Sequence, residues 1–438
     1  MPPETIDSLD KDSLKPLLLS LLKQNEQLLE QVKTLLARIA ELEGSSKPPK
    51  TPTNSSLPPS SGHKANAPPA GKTRRKGRPG VARELCPNPD VTRDIYAERC
   101  ACGTAVSRDD QTLAHAYDHI DLPPIKPVTT RINLHKGACA CCQRRVAAAP
   151  PADMPPGSPF GPGIVSIAAY LHGCQMVSYN RLVEVFDGLL GLRISEGAIA
   201  NMLARAVVPF AVEADRIAAS VRNSPVIASD ETSARVCGKT WWQWVFSSAS
   251  AVYHTIVPTR GKAVPVAFLG DAKPKVWISD RLPAQCKHAE AHQFCLAHLI
   301  RDAQYAIDAG DAVFAPGFKA FLKQACAVGR KRPQIGDATI ARHARELKRE
   351  LDRLLDLRPT KVDGIHLRAA MSLDRDKLLV FLTRRDVEPT NNFSERALRP
   401  SVIFRKVTNC FRSGWGAKVY ADLRSIVATG RIKGRNPL

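Results

Sequence analysis

No stretch of about 18 consecutive apolar residues occurs in the chain, so no membrane-spanning helix is expected. The first residues also lack the basic start and apolar centre of a secretory leader; they are acidic and contain proline. The protein is therefore expected in the cytosol. Acid is the second shortage: 42 Asp and Glu face 63 Lys and Arg, a net charge of +21. That imbalance calls for a polyanionic partner, nucleic acid before an anionic membrane surface. The deficit is sharpest in two places. Residues 44–83 hold nine Lys or Arg, eight Pro and no acid; Arg396 onward holds ten Lys or Arg and a single acid, Asp422.

At 438 residues the chain has room for two to four domains of about 150 residues each. Twelve cysteines in a cytosolic protein read as metal ligands or buried thiols rather than disulfides. Leu14, Leu21, Leu28, Leu35 and Leu42 keep strict heptad spacing, with Leu18, Asn25, Val32 and Ile39 four residues after the first four. Such a seam, with Asn25 at an a position, selects a parallel two-stranded coil. A homodimer or higher oligomer through residues 14–42 is expected; an amphipathic helix packed on its own domain is the other reading. The acid-free stretch behind it is a disordered basic linker by composition. Within it Arg74, Arg75, Lys76 and Arg78 suit a phosphate backbone.

Cys100 and Cys102, then Cys139 and Cys142, form two knuckles that suit one tetrahedral zinc ion, with His115, His119 or Cys86 able to replace one ligand. The alternative is buried apolar thiols. Helical periodicity over Leu182–Leu190 and Ile199–Ala206, with Ser195 as an N-cap between them, resembles a helix-turn-helix or an ordinary helical hairpin.

Val226–Thr232 is a β-type run ending in Asp230 and Glu231, followed by a turn at Cys237–Lys239 and a tryptophan-rich strand. A third strand at Tyr253–Val257, a helix near Lys262–Leu269 and a fourth strand at Lys275–Ser279 follow, the last ending in Asp280. Three strands, a helix and a fourth strand is the order of an RNase H-like core, which lays the first and fourth strands side by side. Residues 290–308 read as one helix that places Cys295 and His298 on one face, in a structural role, with metal binding as the other reading although two ligands are not four. Residues 311–388 read as a helical insertion. Thr390 or Asn391 can then cap a helix carrying Glu395 on its first turns. Phosphodiester cleavage with two magnesium (or manganese) ions needs three carboxylates, and Asp230, Asp280 and Glu395 are the candidates. Asn391, Asn392, Arg396, Arg399, Arg405 and Lys406 are the candidate DNA contacts beside them.

Taken together, these blocks resemble the IS66 family of insertion-sequence transposases. The likeness runs through Asn54–Ser61, both cysteine pairs, Tyr170–Gly173, Ser229–Thr232, Ile278–Arg281, Cys295–Asp302, Pro389–Pro400 and Phe404–Lys406. It implies a DDE-type enzyme that cuts and joins element ends, with Asp230, Asp280 and Glu395 as the triad. It also implies terminal repeats and target DNA as partners, accessory transposition proteins, and a bacterial cytoplasmic, nucleoid-associated setting. Relatives often continue past the final Leu438, so the resemblance leaves open both an active copy and a shortened, inactive one. Two other functions fit the same basic chain: a non-catalytic dimeric zinc-containing DNA-binding protein, and a nuclease without strand transfer. The expected fold class is multidomain α+β. Its parts are a coiled coil (1–43), the linker (44–83), a zinc-ribbon-like domain (84–150), a helical helix-turn-helix-like region (157–218) and an RNase H-like α/β core (224–310 and 389–438) interrupted by the insertion (311–388).

Overall fold

The structure, a computed structural model, describes residues 11–44, 47–55, 57, 83–123 and 125–436. Arg74, Arg75, Lys76 and Arg78 lie outside the described residues. Among the described residues the chain is a mixed α/β protein of twelve α-helices and two sheets.

Helix α1 (Lys11–Gly44) is continuous, with Pro16 inside it rather than in its first turn. Leu18, Leu21, Leu28, Val32 and Leu35 on its heptad seam are all exposed. Strands β1 (Lys136–Ala138) and β2 (Arg145–Ala147) pair antiparallel around the second cysteine knuckle. Helices α2 (Pro162–Gly173), α3 (Tyr179–Leu190), α4 (Glu196–Arg205) and α5 (Val207–Arg222) follow. Gly191 ends α3 in the left-handed conformation, which glycine adopts without penalty. Ser195 then caps α4 by accepting from Ala198 N–H at 3.2 Å. The two helices bury Leu182, Phe186, Ile199, Met202 and Leu203 in one cluster.

The larger sheet has five strands in the order β5-β4-β3-β6-β7. Strands β3 (Val226–Val236) and β4 (Lys239–Ser247) form a hairpin whose two turn residues, Cys237 and Gly238, both have positive φ. That is the two-residue turn whose twist matches paired strands. Strand β5 (Val252–Val257) completes the antiparallel half. After α6 (Ala263–Leu269), strand β6 (Val276–Ser279) pairs parallel with β3, Ala228 opposite Ile278. The first and fourth strands of this sheet are thus neighbours, the adjacency that the RNase H-like analogy implies.

Two expectations need correction. Asp230 does not end its strand: β3 runs six residues further in its hairpin with β4, and only the parallel pairing with β6 stops, at Ala228. Residues 290–308 are not one helix either. Strand β7 (Ala291–Phe294) adds a fifth strand, and α7 (Leu296–Asp308) starts only after Cys295, its N-cap. The β7 run is four residues with buried His292 and Gln293, too short and too polar to show strand periodicity.

Helices α8 (Ala315–Lys331), α9 (Asp337–Leu355) and α10 (Val362–Leu373) come next and share a core with α7 and the edge of β6. Buried Arg332 gathers the loop that leaves them. Its Nη1 donates to the carbonyls of Phe381, Arg384 (3.0 Å) and Val387 (2.6 Å). Helices α11 (Asn392–Thr408) and α12 (Gly414–Ile432) then return to the sheet. Helix α12 runs along the free edge of β5, where Ser425 Oγ accepts from His254 N–H at 2.8 Å and Thr429 Oγ1 from Val252 N–H at 3.0 Å. An edge strand whose outward N–H groups are met this way cannot recruit a foreign strand. No single described helix is long and apolar enough to cross a membrane.

Candidate active site

Side chains alternate along β3, so Asp230 and Glu231 face opposite sides of the sheet. Asp230 lies opposite Val245, whose side chain packs with Leu398 of α11. Glu231 lies opposite Trp244, which packs with Phe268 of α6. Glu231 is fully engaged there. Its Oε1 accepts from Arg260 Nε at 2.9 Å and Nη2 at 2.6 Å, and its Oε2 from Gln285 Nε2 at 2.5 Å. The Arg260 guanidinium in turn lies 4.7 Å over the Trp242 ring.

Asp230 has no such cation. Its Oδ1 accepts the Glu231 N–H at 2.9 Å, and no salt bridge reaches it among the described residues. Burial raises its pKa well above the ordinary carboxylate value; Glu231, Asp280 and Glu395 add to the rise. Continuing the β3–β6 register by two residues sets Asp280 beside Asp230, just past the end of β6. Asp280 is held by Leu282 N–H, which donates to its Oδ1 at 3.0 Å.

Glu395 arrives from the far end of the chain on the first turn of α11. The helix start is fastened to β3 and β4: Asn391 Nδ2 donates to Ser229 O at 2.7 Å, one residue before Asp230, and the hydroxyls of Ser394 and Ser247, the last residue of β4, bond at 2.9 Å. Asn391 N–H donates to Cys295 Sγ at 3.1 Å, and Leu296 N–H to Pro389 O at 3.0 Å. The opposing helix α7 presents His298 and Arg301, whose Nδ1 and Nη2 lie 3.5 and 3.4 Å from Glu395 Oε1. Burial, helped by the nearby Arg301 charge, lowers the His298 pKa; burial pushes the Cys295 thiol up to about 11.

Asp280 and Glu395, each carried by a different element, both lie near enough to Asp230 to raise its pKa. The oxygens of the three acids are not all within 4.8 Å of one another. Two cations about 3.5–4 Å apart, each about 2.1 Å from its ligands, allow the outer carboxylates a separation of about 8 Å. Three neighbouring carboxylates, one desolvated and unpaired, suit divalent cations bound through oxygen.

Asn391 is a different matter from the DNA contact that the sequence suggests. It is 1 % exposed, and its amide is spent on Ser229. It is the N-cap residue of α11, but its side chain makes no capping hydrogen bond. Arg405 is half-buried, and its guanidinium donates to Ser233 on β3. Asn392, Arg396, Arg399 and Lys406 are exposed on α11. Arg424, counted among the basic C-terminal residues, is buried. Asp422 pairs with Lys418 at 2.9 Å.

The cysteine knuckles are both formed. Cys100 N–H donates to Thr104 O and Cys139 N–H to Arg144 O, each at 2.9 Å. The Thr104 hydroxyl, then its backbone and the Cys100 thiol, lower the Cys102 pKa to about 7. Among the described residues, no three of Cys100, Cys102, Cys139, Cys142, Cys86, His115 and His119 bring ligand atoms within 4.8 Å of one another.

The Glu231 network, the Asn391 clamp and the His298–Glu395 contact were not read from the sequence. The period-2 alternation at Asp230-Glu231 was the available sign for the first. No curated protein matches the chain. The profile of the Transposase IS66 family matches residues 157–419, more than half of the chain, from α2 through the start of α12. The chain belongs to the Transposase IS66 family.

Proposed function

We propose that the protein is a DDE-type DNA transposase with an RNase H-like core that cleaves insertion-element ends and joins them to target DNA. The observation that carries this reading is the unpaired, desolvated Asp230 flanked by Asp280 and Glu395. Asp230, on the central strand of the larger sheet, would bridge two magnesium or manganese ions; Asp280 would hold one and Glu395 the other. Bound there, the ions would activate the attacking oxygen and stabilise the leaving one on opposite sides of phosphorus. The chain's own part is to hold three carboxylates still and to seat DNA. Exposed Arg396, Arg399 and Lys406 lie on the helix that carries Glu395, so phosphates bound there would set the register of the scissile bond.

Two further assignments complete the reading. One zinc ion would join the knuckles of Cys100, Cys102, Cys139 and Cys142, whose formed turns support it. A second copy of the chain would cover the exposed heptad face of α1, because an uncovered row of leucines in register is a costly surface. Element ends and target DNA are the proposed partners, with accessory transposition proteins.

A strand-transfer assay with labelled element ends and magnesium tests the function. Joined product is expected, and Glu395→Gln should abolish it while a mobility shift of the same DNA persists. Cut ends without joining would assign a nuclease; a mobility shift alone would assign a DNA-binding protein.

A further inference from the structure

The wall of the basin behind Glu395 offers a second kind of donor. Cys295 Sγ, a ring nitrogen of His298 and a carboxylate oxygen of Glu395 all lie within 4.8 Å of one another. Cys295 is 1 % exposed. The sulfur already accepts the Asn391 backbone N–H, a contact that partly offsets the cost of burial to a thiolate there. His298 Nδ1 is buried with no hydrogen-bond partner, a costly state for an imidazole nitrogen.

Magnesium has no use for this set, since it takes hard oxygens in near-octahedral geometry. Thiolate, imidazole and carboxylate with an open fourth position are instead a donor set for zinc. Zinc bond lengths of about 2.0–2.3 Å place tetrahedral ligands about 3.3–3.8 Å apart. The three atoms therefore need to close by about 1 Å, within reach of side-chain rotation by His298 and the partly exposed Glu395. We propose that Cys295, His298 and Glu395 form a site for a borderline-soft divalent transition ion, zinc above all. On binding, the Cys295 thiol gives its proton to solvent and the ion takes the thiolate, the imidazole and the carboxylate. Arg301, 3.4 Å from the same Glu395 oxygen, is the cation that the metal displaces. If the proposed function holds, on which this consequence rests, zinc at this site withdraws Glu395 from the magnesium basin and opposes DNA cleavage.

The test is calorimetric titration of the full chain with zinc, with cobalt(II) as a spectroscopic probe whose thiolate charge-transfer absorption reports sulfur ligation. Cys295→Ser should remove one equivalent of zinc and part of the cobalt absorption. His298→Ala, a smaller change to the fold, should weaken the same equivalent by about 10-fold or more. Cys139→Ser, in the ribbon, should leave that equivalent in place. Asp230→Asn should keep the equivalent while losing magnesium-dependent cleavage, so the two readings fail separately. Equal stoichiometry and absorption in wild type, Cys295→Ser and His298→Ala overturns the site, with circular dichroism confirming that the variants are folded. Loss of the same equivalent in Asp230→Asn also overturns it.

Discussion

Asp230 and Glu231 are neighbours in the chain and opposites in use. Glu231 spends both oxygens on Arg260 and Gln285, while Asp230 is left without a cation among other carboxylates. Replacing Glu231 by Gln keeps its volume but leaves Arg260 without its charge partner; under the proposed function strand-transfer rate should fall by about 10- to 100-fold, the usual cost of losing a group behind a metal ligand. Asp230 has a thermodynamic signature as well. Its folded pKa is raised, so over the interval between its unfolded and folded values the native chain keeps a proton that the unfolded chain has lost. Stability conferred by that proton is full below the ordinary value of 3.8 and is lost as pH rises through the folded value. In chelator, Asp230→Asn should therefore melt higher than wild type at neutral pH and equally at the acid end, with magnesium closing the neutral-pH gap. Parallel melting curves across pH would show that the carboxylate carries no such strain.

At the scale of elements, the basin depends on how α11 is hung. Asn391 links it to β3, Cys295 and Pro389 link it to α7, and buried Arg332 holds the loop before it. Asn391→Ala removes one buried hydrogen bond and leaves Ser229 O without its donor; denaturant unfolding should show a loss of about 1–3 kcal/mol, with strand transfer reduced more than DNA binding. Much of this level was legible in the chain. The hairpin announced itself through Cys237-Gly238 and a tryptophan-rich run, and β6 through its apolar run ahead of Asp280. Strand β7 was hidden because His292 and Gln293 are buried polar residues in a four-residue run. Asn391 misled for a related reason: an amide beside arginines reads as a surface contact, and burial is set by the distant strand that it meets. The site's carboxylates could be chosen from strand ends and helix starts, but the partner that silences Glu231 comes from Arg260 and Gln285, whose approach no local pattern encodes.

For the whole molecule the dominant quantity is its net charge of +21. DNA affinity should fall steeply with salt as bound counterions are released. Neutralising Arg74, Arg75, Lys76 and Arg78 together should make the log–log salt slope shallower by up to about 0.9 per residue, measured by fluorescence anisotropy at several salt concentrations. A slope unchanged by that substitution would take the linker off the phosphate backbone. Cleavage of DNA already bound at saturating protein should be unaffected, since the proposed triad of Asp230, Asp280 and Glu395 draws on other parts of the chain.

The edge of β5 is sealed by hydroxyls on α12, the last helix described, and the third carboxylate rides on the helix just before it. Domains form as the ribosome delivers them, N-terminal parts first. Asp230 and Asp280 therefore emerge long before the pieces that finish their sheet and their basin. A half-made chain holds two of the acids without the third, so under the proposed function cutting waits until α11 and α12 have been delivered.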